Sequence, residues 1–305
     1  MLASPDSLIQ EFRTIADFVR WGATEFARAN LHFGHGTDNP LDESLSLVLH
    51  SLNLTHDIPE SLLQTNLLET EKRQIVDLLS KRIVDRVPAP YLTGSSQFMG
   101  LQFKVDQRVL IPRSPIAELI EKEFAPWLVG APDSILDLCT GSGCIAIACA
   151  YVFPDATVHG TDISEDALQV AQDNVMLHGL ERRVTLSNGD LFNAVADQKF
   201  DLIVSNPPYV GDEEIADLPA EYRHEPGLAL RSGTDGLQAV TSILTRASQH
   251  LNPDGLLVIE VGNTENTLIH QFPTLAATWV ELEHGGSGVF VIDKNSLDSQ
   301  RFFAS

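Results

Sequence analysis

Cysteine is scarce in this 305-residue chain, and the few cysteines fit no common metal or redox pattern. Cys139, Cys144 and Cys149 are five residues apart, a spacing that suits neither a zinc knuckle nor a C-x-x-C redox pair. An odd number of cysteines also provides no complete disulfide framework. We therefore expect buried thiols in a reducing cytoplasm, and no metal site.

Positive charge is also scarce, with 20 Lys and Arg residues against 42 Asp and Glu residues and a formal net charge of −22. Nonspecific binding to nucleic-acid phosphates needs a surface rich in Lys and Arg, so we expect no stable nucleic-acid binding. The acidity suits a basic partner, or else serves solubility alone.

Long apolar runs are missing as well. No stretch approaches the ~20 residues of a membrane span. Residues 1–6 lack the basic and apolar regions of an export signal. We therefore expect no membrane association and a cytoplasmic location. The sequence does not specify an oligomeric state.

Residues 1–87 are predicted to form a small helical domain. Apolar residues recur at helical spacing over residues 7–30, which predicts one amphipathic helix there, and Asn39-Pro40 is typical of a helix start. Because no catalytic residue is evident there, we interpret this domain either as a packing unit or as the part that recognises a macromolecular substrate. Residues 88–115 are predicted to be a linker that contains a hairpin around Met99-Gly100.

Residues 116–305 are predicted to form the main domain. From Ser134 onward, apolar strand patterns alternate with helical patterns, which is typical of a parallel sheet with helices on both faces. A turn at residues 284–287 indicates a closing antiparallel hairpin. The predicted fold class is therefore α/β, with a Rossmann-like sheet preceded by the helical domain.

A glycine-containing turn joins the first strand of this domain to its helix. It carries Asp137, Thr140, Gly141 and Gly143, and its glycines allow a ligand to approach the backbone. Asp162 ends the second strand and can accept hydrogen bonds from vicinal ribose hydroxyls. This combination also fits a dinucleotide-binding fold, so a nicotinamide enzyme stays an alternative.

Asp190 and Leu191 follow the third strand. The carboxylate there can accept a hydrogen bond from an adenine amine and Phe192 can stack on the adenine ring, although the segment is also compatible with a polar turn that carries one core aromatic residue. Arg113, earlier in the chain, is compatible with pairing to a cofactor carboxylate or with anchoring the linker.

The segment Asn206-Pro207-Pro208-Tyr209 follows the apolar run at residues 200–204. Two prolines stiffen the backbone and remove two N–H donors, which leaves carbonyl oxygens as acceptors. The Asn206 side chain adds an acceptor and Tyr209 adds a flat aromatic face. The segment predicts a pocket for a planar group that bears an NH₂.

Taken together, these motifs resemble the class I S-adenosylmethionine-dependent methyltransferases that methylate planar nitrogens. Within that class, the chain is similar to the HemK/PrmC-like protein-(glutamine) methyltransferases. The resemblance implies S-adenosyl-L-methionine as cofactor, held by the two turns, by Asp162 and by Asn206. It implies catalytic roles for Asn206, Pro207, Pro208 and Tyr209.

The family has two close branches. Release-factor enzymes usually follow Pro-Arg with Pro-Asp-Thr-Glu, whereas this chain has Ser114-Pro115-Ile116-Ala117-Glu118. That variant is similar to the branch that acts on ribosomal protein uL3, a basic partner. The alternatives are methylation of release factors, methylation of an adenine amine on nucleic acid, and a binding module without enzymatic activity.

Overall fold

The structure is a computed structural model that describes residues 4–300. The chain divides into two compact units. The first runs up to Ser95 and also includes Pro219–His224, and the second comprises Ser96–Leu218 and the chain from Glu225 onward.

The first unit is helical. Its α-helices are α1 (Pro5–Glu11), α2 (Ile15–Arg28), α3 (Pro40–Ser51), α4 (Glu69–Ser80) and α5 (Ala89–Thr93), with a π-helix at Lys81–Asp85 and 3₁₀ turns at Glu60–Gln64 and Ala220–His224. The prediction of one helix over residues 7–30 is wrong, because Thr14 starts a new helix. Its hydroxyl accepts from the Asp17 N–H at 3.2 Å, and Asp17 accepts from the Thr14 N–H at 2.9 Å.

Charged side chains are buried within this helical unit. The Arg82 Nε donates to Glu43 at 2.7 Å, and its Nη1 donates to Glu221 at 3.3 Å. Glu221 also accepts from Arg86 at 2.8 Å and from the His32 N–H at 3.0 Å. Because Glu221 comes from the 3₁₀ turn at Ala220–His224, these bonds tie a late segment of the chain to the helices.

After α5 the chain forms a hairpin of β1 (Ser95–Phe98) and β2 (Leu101–Lys104), whose turn residues Met99 and Gly100 both have positive φ. The remaining strands are β3 (Ser134–Leu138), β4 (Thr157–Asp162), β5 (Val184–Asn188), β6 (Phe200–Ser205), β7 (Leu251–Glu260), β8 (Thr278–Trp279) and β9 (Val289–Asp293). The helices are α6 (Ile116–Glu121), α7 (Cys144–Val152), α8 (Glu165–Leu177), α9 (Asp212–Ile215), α10 (Gln238–His250), α11 (Glu265–Gln271) and α12 (Lys294–Ser299).

Strands β3 to β9 form one seven-stranded sheet in the order β5-β4-β3-β6-β7-β9-β8. The pairs from β5 to β7 are parallel, and β9 runs antiparallel to both β7 and β8. Strand β3 lies between β4 and β6, so the strand order reverses there. Ligands of such sheets bind at the carboxyl ends of the strands beside that reversal.

The central strands of the sheet are buried under apolar side chains. Ile135, Leu136 and Leu138 of β3 are fully buried, and α7 buries every residue from Cys144 to Ala150. All three cysteines are free, and only Cys139 is partly exposed. Within residues 4–300, no helix is long and apolar enough to cross a membrane.

Candidate functional site

A cavity of about 290 Å³ lies at the carboxyl ends of β3, β4 and β6. Six of the residues predicted for the site line it: Gly141, Asp162, Asp190, Leu191, Asn206 and Pro208. They come from four separate loops, so the sheet is what brings them together. The cavity volume is close to the lower end of the range for small-molecule sites.

The glycine turn forms one wall of the cavity. Gly141 has φ +54°, and a Cβ added there would meet no protein atom within 4 Å, so the backbone faces open space. At Gly143, with φ +80°, a Cβ would instead lie 3.3 Å from the Ala171 Cβ. Gly141 therefore keeps the cavity open, whereas Gly143 allows α7 and α8 to pack.

Asp137 and Thr140 do not line the cavity but shape this turn. The Thr140 hydroxyl donates to Asp137 at 2.6 Å, and the Ala146 N–H donates to the same oxygen at 3.0 Å. Burial raises the pKa of Asp137 to about 7. The other carboxyl oxygen of Asp137 is buried without a hydrogen-bond partner among residues 4–300.

Asp162 lines the cavity from the last position of β4. One carboxylate oxygen accepts from the Gly141 N–H and the other from the Ser164 N–H, each at 2.9 Å. Each oxygen keeps a further lone pair for a ligand hydroxyl. Burial raises the pKa of Asp162, which indicates a carboxylate that is poorly solvated before a ligand binds.

Two cavity residues have a backbone conformation that side chains other than glycine rarely adopt. Cys139 has φ +60° and Leu191 has φ +49°. Each directly follows a segment that carries a predicted site residue, and such local strain concentrates at functional sites.

Asn206 is half-buried and lines the cavity. Ser205 fixes the end of β6, because its hydroxyl donates to the Leu138 carbonyl at 2.9 Å. In the part of the chain that the structure describes, no hydrogen bond engages the Asn206 side chain or the Pro207 carbonyl. Both acceptors are thus uncommitted; Asn206 lines the cavity, whereas Pro207 is buried and does not line it.

Tyr209 does not line the cavity, and its position is set by residues that the sequence did not single out. Its hydroxyl donates to Glu260 at 3.0 Å, and the Ser114 hydroxyl donates to the second Glu260 oxygen at 2.6 Å. Burial raises the pKa of Glu260 to about 7. The signal that could have found Glu260 is an acidic residue at the end of the apolar run at residues 256–261.

Arg113 pairs with Glu225 through both of its terminal nitrogens. This pairing satisfies the guanidinium within the second unit, so the structure favours anchoring over direct cofactor binding. Among residues 4–300 there is no group of three or more metal-ligating side chains.

The site residues fit S-adenosylmethionine. Open space faces Gly141, carboxylate acceptors stand at Asp162 and Asp190, and the adjacent Asn206 side chain is uncommitted. A parallel sheet of this order with an antiparallel β9, and with this cavity, defines a class I S-adenosylmethionine-dependent methyltransferase. The fold agrees with the crystal structure of the hMettl16 catalytic domain in complex with MAT2A 3′UTR hairpin 1. That likeness has a TM-score of 0.50 and 14% identity, and it covers 77% of this chain and 84% of the other.

Sequence comparison identifies the family within this class of methyltransferases. Residues 122–221 match the family described as "Methyltransferase small domain". A ribosomal protein uL3 glutamine methyltransferase of Xanthomonas campestris pv. campestris is 50% identical over 289 residues, or 94% of this chain and 93% of the relative. One from Francisella tularensis subsp. tularensis is 44% identical over 292 residues, or 95% of this chain and 93% of the relative.

The chain therefore belongs to the family of ribosomal protein uL3 glutamine methyltransferases. The predicted fold class, the family resemblance and the S-adenosylmethionine cofactor are confirmed. The nicotinamide enzyme and the binding module without enzymatic activity are set aside.

Proposed function

We propose that this protein transfers a methyl group from S-adenosylmethionine to the side-chain amide nitrogen of a glutamine in large-subunit ribosomal protein uL3. The observation that carries the proposal is the uncommitted pair of acceptors at Asn206 and Pro207, beside a cavity suited to the cofactor. The two curated relatives, which carry this activity in their names, support the choice of substrate.

The cofactor is held by the residues around the cavity. Asp162 accepts from the ribose hydroxyls and Asp190 from the adenine amine, while Leu191 and Gly141 contact the cofactor surface. The conformation of the glycine turn is fixed by Asp137, Thr140 and Gly143, which therefore contribute to cofactor binding indirectly. When bound, S-adenosylmethionine supplies an electrophilic methyl group on a positively charged sulfur.

The target amide must be positioned because it is a poor nucleophile. Its nitrogen lone pair is delocalised into the carbonyl, and neutral pH does not deprotonate it. The Asn206 side-chain oxygen and the Pro207 carbonyl accept its two N–H bonds, and Pro208 keeps the segment rigid. Tyr209 stacks on the amide plane, and exclusion of water strengthens these contacts. No general base is needed, because the nitrogen loses its proton after it has become positively charged.

The segment that distinguishes the two branches is tied to the body of the second unit. Ser114 donates to Glu260, and Glu118 accepts from the backbone N–H groups of Glu283 and His284 at 2.9–3.2 Å. The helical domain of residues 1–87 is proposed to recognise the protein substrate. A reducing cytoplasm is the proposed location, because it keeps the free thiols reduced.

The test is a labelling assay with S-adenosylmethionine that carries an isotopic methyl group. The acceptors are unmethylated uL3, the host's peptide chain release factors, and RNA and DNA oligonucleotides. We expect label in uL3 alone, and an association rate that falls steeply with added salt because the net charge of −22 attracts a basic protein. Label in a release factor or in an adenine would establish the corresponding alternative and refute the proposal.

A further inference from the structure

Glu260 is a carboxylate at the end of β7 that the mechanism above does not use. It is 3% exposed, and each of its oxygens accepts from a different hydroxyl. Tyr209 donates to Oε1 at 3.0 Å, and Ser114 donates to Oε2 at 2.6 Å. The Ser114 oxygen in turn accepts from the Ile116 N–H at 3.2 Å. Both hydroxyls therefore have a defined direction.

The ring of Tyr209 is held from a second side by the same stretch of chain. A Cβ added at Gly262 would lie 2.6 Å from the Tyr209 Cε2 and 2.8 Å from its Cζ. Only a glycine leaves room for the ring at that position. Glu260 fixes the hydroxyl and Gly262 bounds the ring, so two residues of one short segment set the orientation of Tyr209.

We propose that Glu260 is a positioning residue for methyl transfer, acting through the Tyr209 hydroxyl with Ser114 as the second anchor of its carboxylate. The proposal rests on the function assigned above, in which the Tyr209 ring bounds the amide to be methylated. A displaced ring would leave Asn206 as the main constraint on that amide, so turnover falls while cofactor binding is preserved.

The arrangement needs an ionised carboxylate, because both neighbouring hydroxyls donate to it. A protonated acid or a glutamine amide has only one pure acceptor oxygen, and its other group needs an acceptor of its own. One of the two hydroxyls must then turn away.

Burial favours that neutral form and raises the pKa of Glu260 to about 7, while the hydroxyl donors and Arg113 act in the opposite direction. Among residues 4–300, Arg113 is the charged group that acts on Glu260, and it is itself paired with Glu225; Tyr209 is a titratable neighbour that donates to Glu260. Because the raised pKa is that of an acid, the ionised form is lost as the pH falls through about 7. Positioning of Tyr209 is lost over the same interval.

The experiment measures kcat and KM against pH for the wild type and for Glu260→Gln, Tyr209→Phe, Ser114→Ala and the Glu260→Gln/Tyr209→Phe double variant. We expect wild-type kcat to fall below about pH 7, and Glu260→Gln to be slower by about tenfold without that acid limb. Ser114→Ala keeps the Tyr209 bond but removes a donor to the carboxylate, so its acid limb should shift upward by roughly one pH unit. The double variant should be no slower than Tyr209→Phe, because both changes remove the same bond.

Ser134→Ala is the matched control. Its hydroxyl donates to Asp201 at 2.9 Å, a serine-carboxylate pair of the same kind at the amino end of the sheet. We expect no shift of the acid limb for this variant. Calorimetry should show unchanged S-adenosylmethionine affinity for Glu260→Gln, which separates positioning from loss of the fold.

Two results would overturn the proposal: an acid limb that survives in Glu260→Gln, or independent effects of Glu260→Gln and Tyr209→Phe on kcat. If Glu260→Gln does not fold, the direction of the Ser114→Ala shift decides. If wild-type enzyme methylates no uL3, the proposed function fails, and carboxyl NMR still decides the inference. In that case the Glu260 signal must titrate near neutral pH and must move upward in Tyr209→Phe; an unmoved signal refutes the coupling.

Discussion

Replacing Asp162 by Asn tests whether this residue serves the cofactor or the fold. Asp162 accepts from two backbone N–H groups and lines the cavity, and Asn keeps its size with only one acceptor oxygen. At least one charge-assisted hydrogen bond to the ribose is then lost, at about 1.5–3 kcal/mol. We expect the Kd for S-adenosylmethionine to rise about 10- to 150-fold, measured by calorimetry.

Asn can keep only one of the two backbone hydrogen bonds, but removal of a buried charge offsets part of that loss. Because burial raises the pKa of Asp162, its charge opposes folding, and stability from this group falls as the pH rises above its unfolded-state pKa of 3.8. Asp162→Asn removes this pH dependence of stability, which urea unfolding at several pH values measures.

Asp201→Asn provides the matched control at the opposite end of the sheet. Asp201 also accepts from two backbone N–H groups, those of Asp133 at 3.0 Å and Ser134 at 2.9 Å, but it does not line the cavity. Burial opposes its ionisation, yet hydrogen bonds from Asn252 and Ser134 lower its pKa overall, so its stabilising effect is lost as the pH falls. We expect lower stability and unchanged cofactor affinity. An Asp162→Asn variant with wild-type affinity would remove Asp162 from the site.

Four further substitutions test catalysis, the burial of charge and the pH dependence of a carboxylate. Asn206→Ala should slow turnover by about 10²- to 10³-fold, equivalent to about 2.7–4 kcal/mol of transition-state stabilisation, in steady-state assays; wild-type turnover would exclude its role. Arg82→Met removes the cation that pairs with Glu43 and one of the two that pair with Glu221, and it should cost about 3–5 kcal/mol of unfolding free energy. Arg73→Met, which breaks exposed pairs with Glu69 and Asp6, should cost much less unfolding free energy than Arg82→Met; equal losses would refute the burial argument. The hydrogen bond from the Glu283 backbone N–H, and next that from the Lys122 side chain, lower the pKa of Glu118 to about 2. Glu118→Gln should therefore be less stable than the wild type at neutral pH, and this difference in stability should disappear as the pH falls from 4.5 toward 2. A difference in melting temperature that stays constant over this range would contradict the prediction.

Much of the site could be predicted because it lies at strand ends. The apolar runs that become β3, β4 and β6 are evident in the sequence, and parallel strands bring Gly141, Asp162 and Asn206 to one edge of the sheet. The glycines predict a turn, and the two consecutive prolines predict a rigid segment. The local sequence pattern was therefore sufficient to predict the site residues that lie directly at the end of a strand.

The remaining features depend on contacts between distant parts of the chain. Glu260 meets Ser114 across 146 positions, and Glu221 meets Arg82 across 139. Neither pairing has a local signature, since an isolated Glu is equally compatible with a solvated surface. The break between α1 and α2 was missed for a different reason, because the capping bonds of Thr14 override an apolar spacing that continues through them.

The most direct test of the proposed function is to map the methyl group by fragmentation mass spectrometry. Unmethylated uL3 is incubated with isotopically labelled S-adenosylmethionine and either the wild-type enzyme or Asn206→Ala. We predict one labelled methyl group on the side-chain amide nitrogen of a single glutamine with the wild type, and almost none with the variant in the same time. Label on a lysine, on the uL3 backbone or on no residue of uL3 would contradict the account.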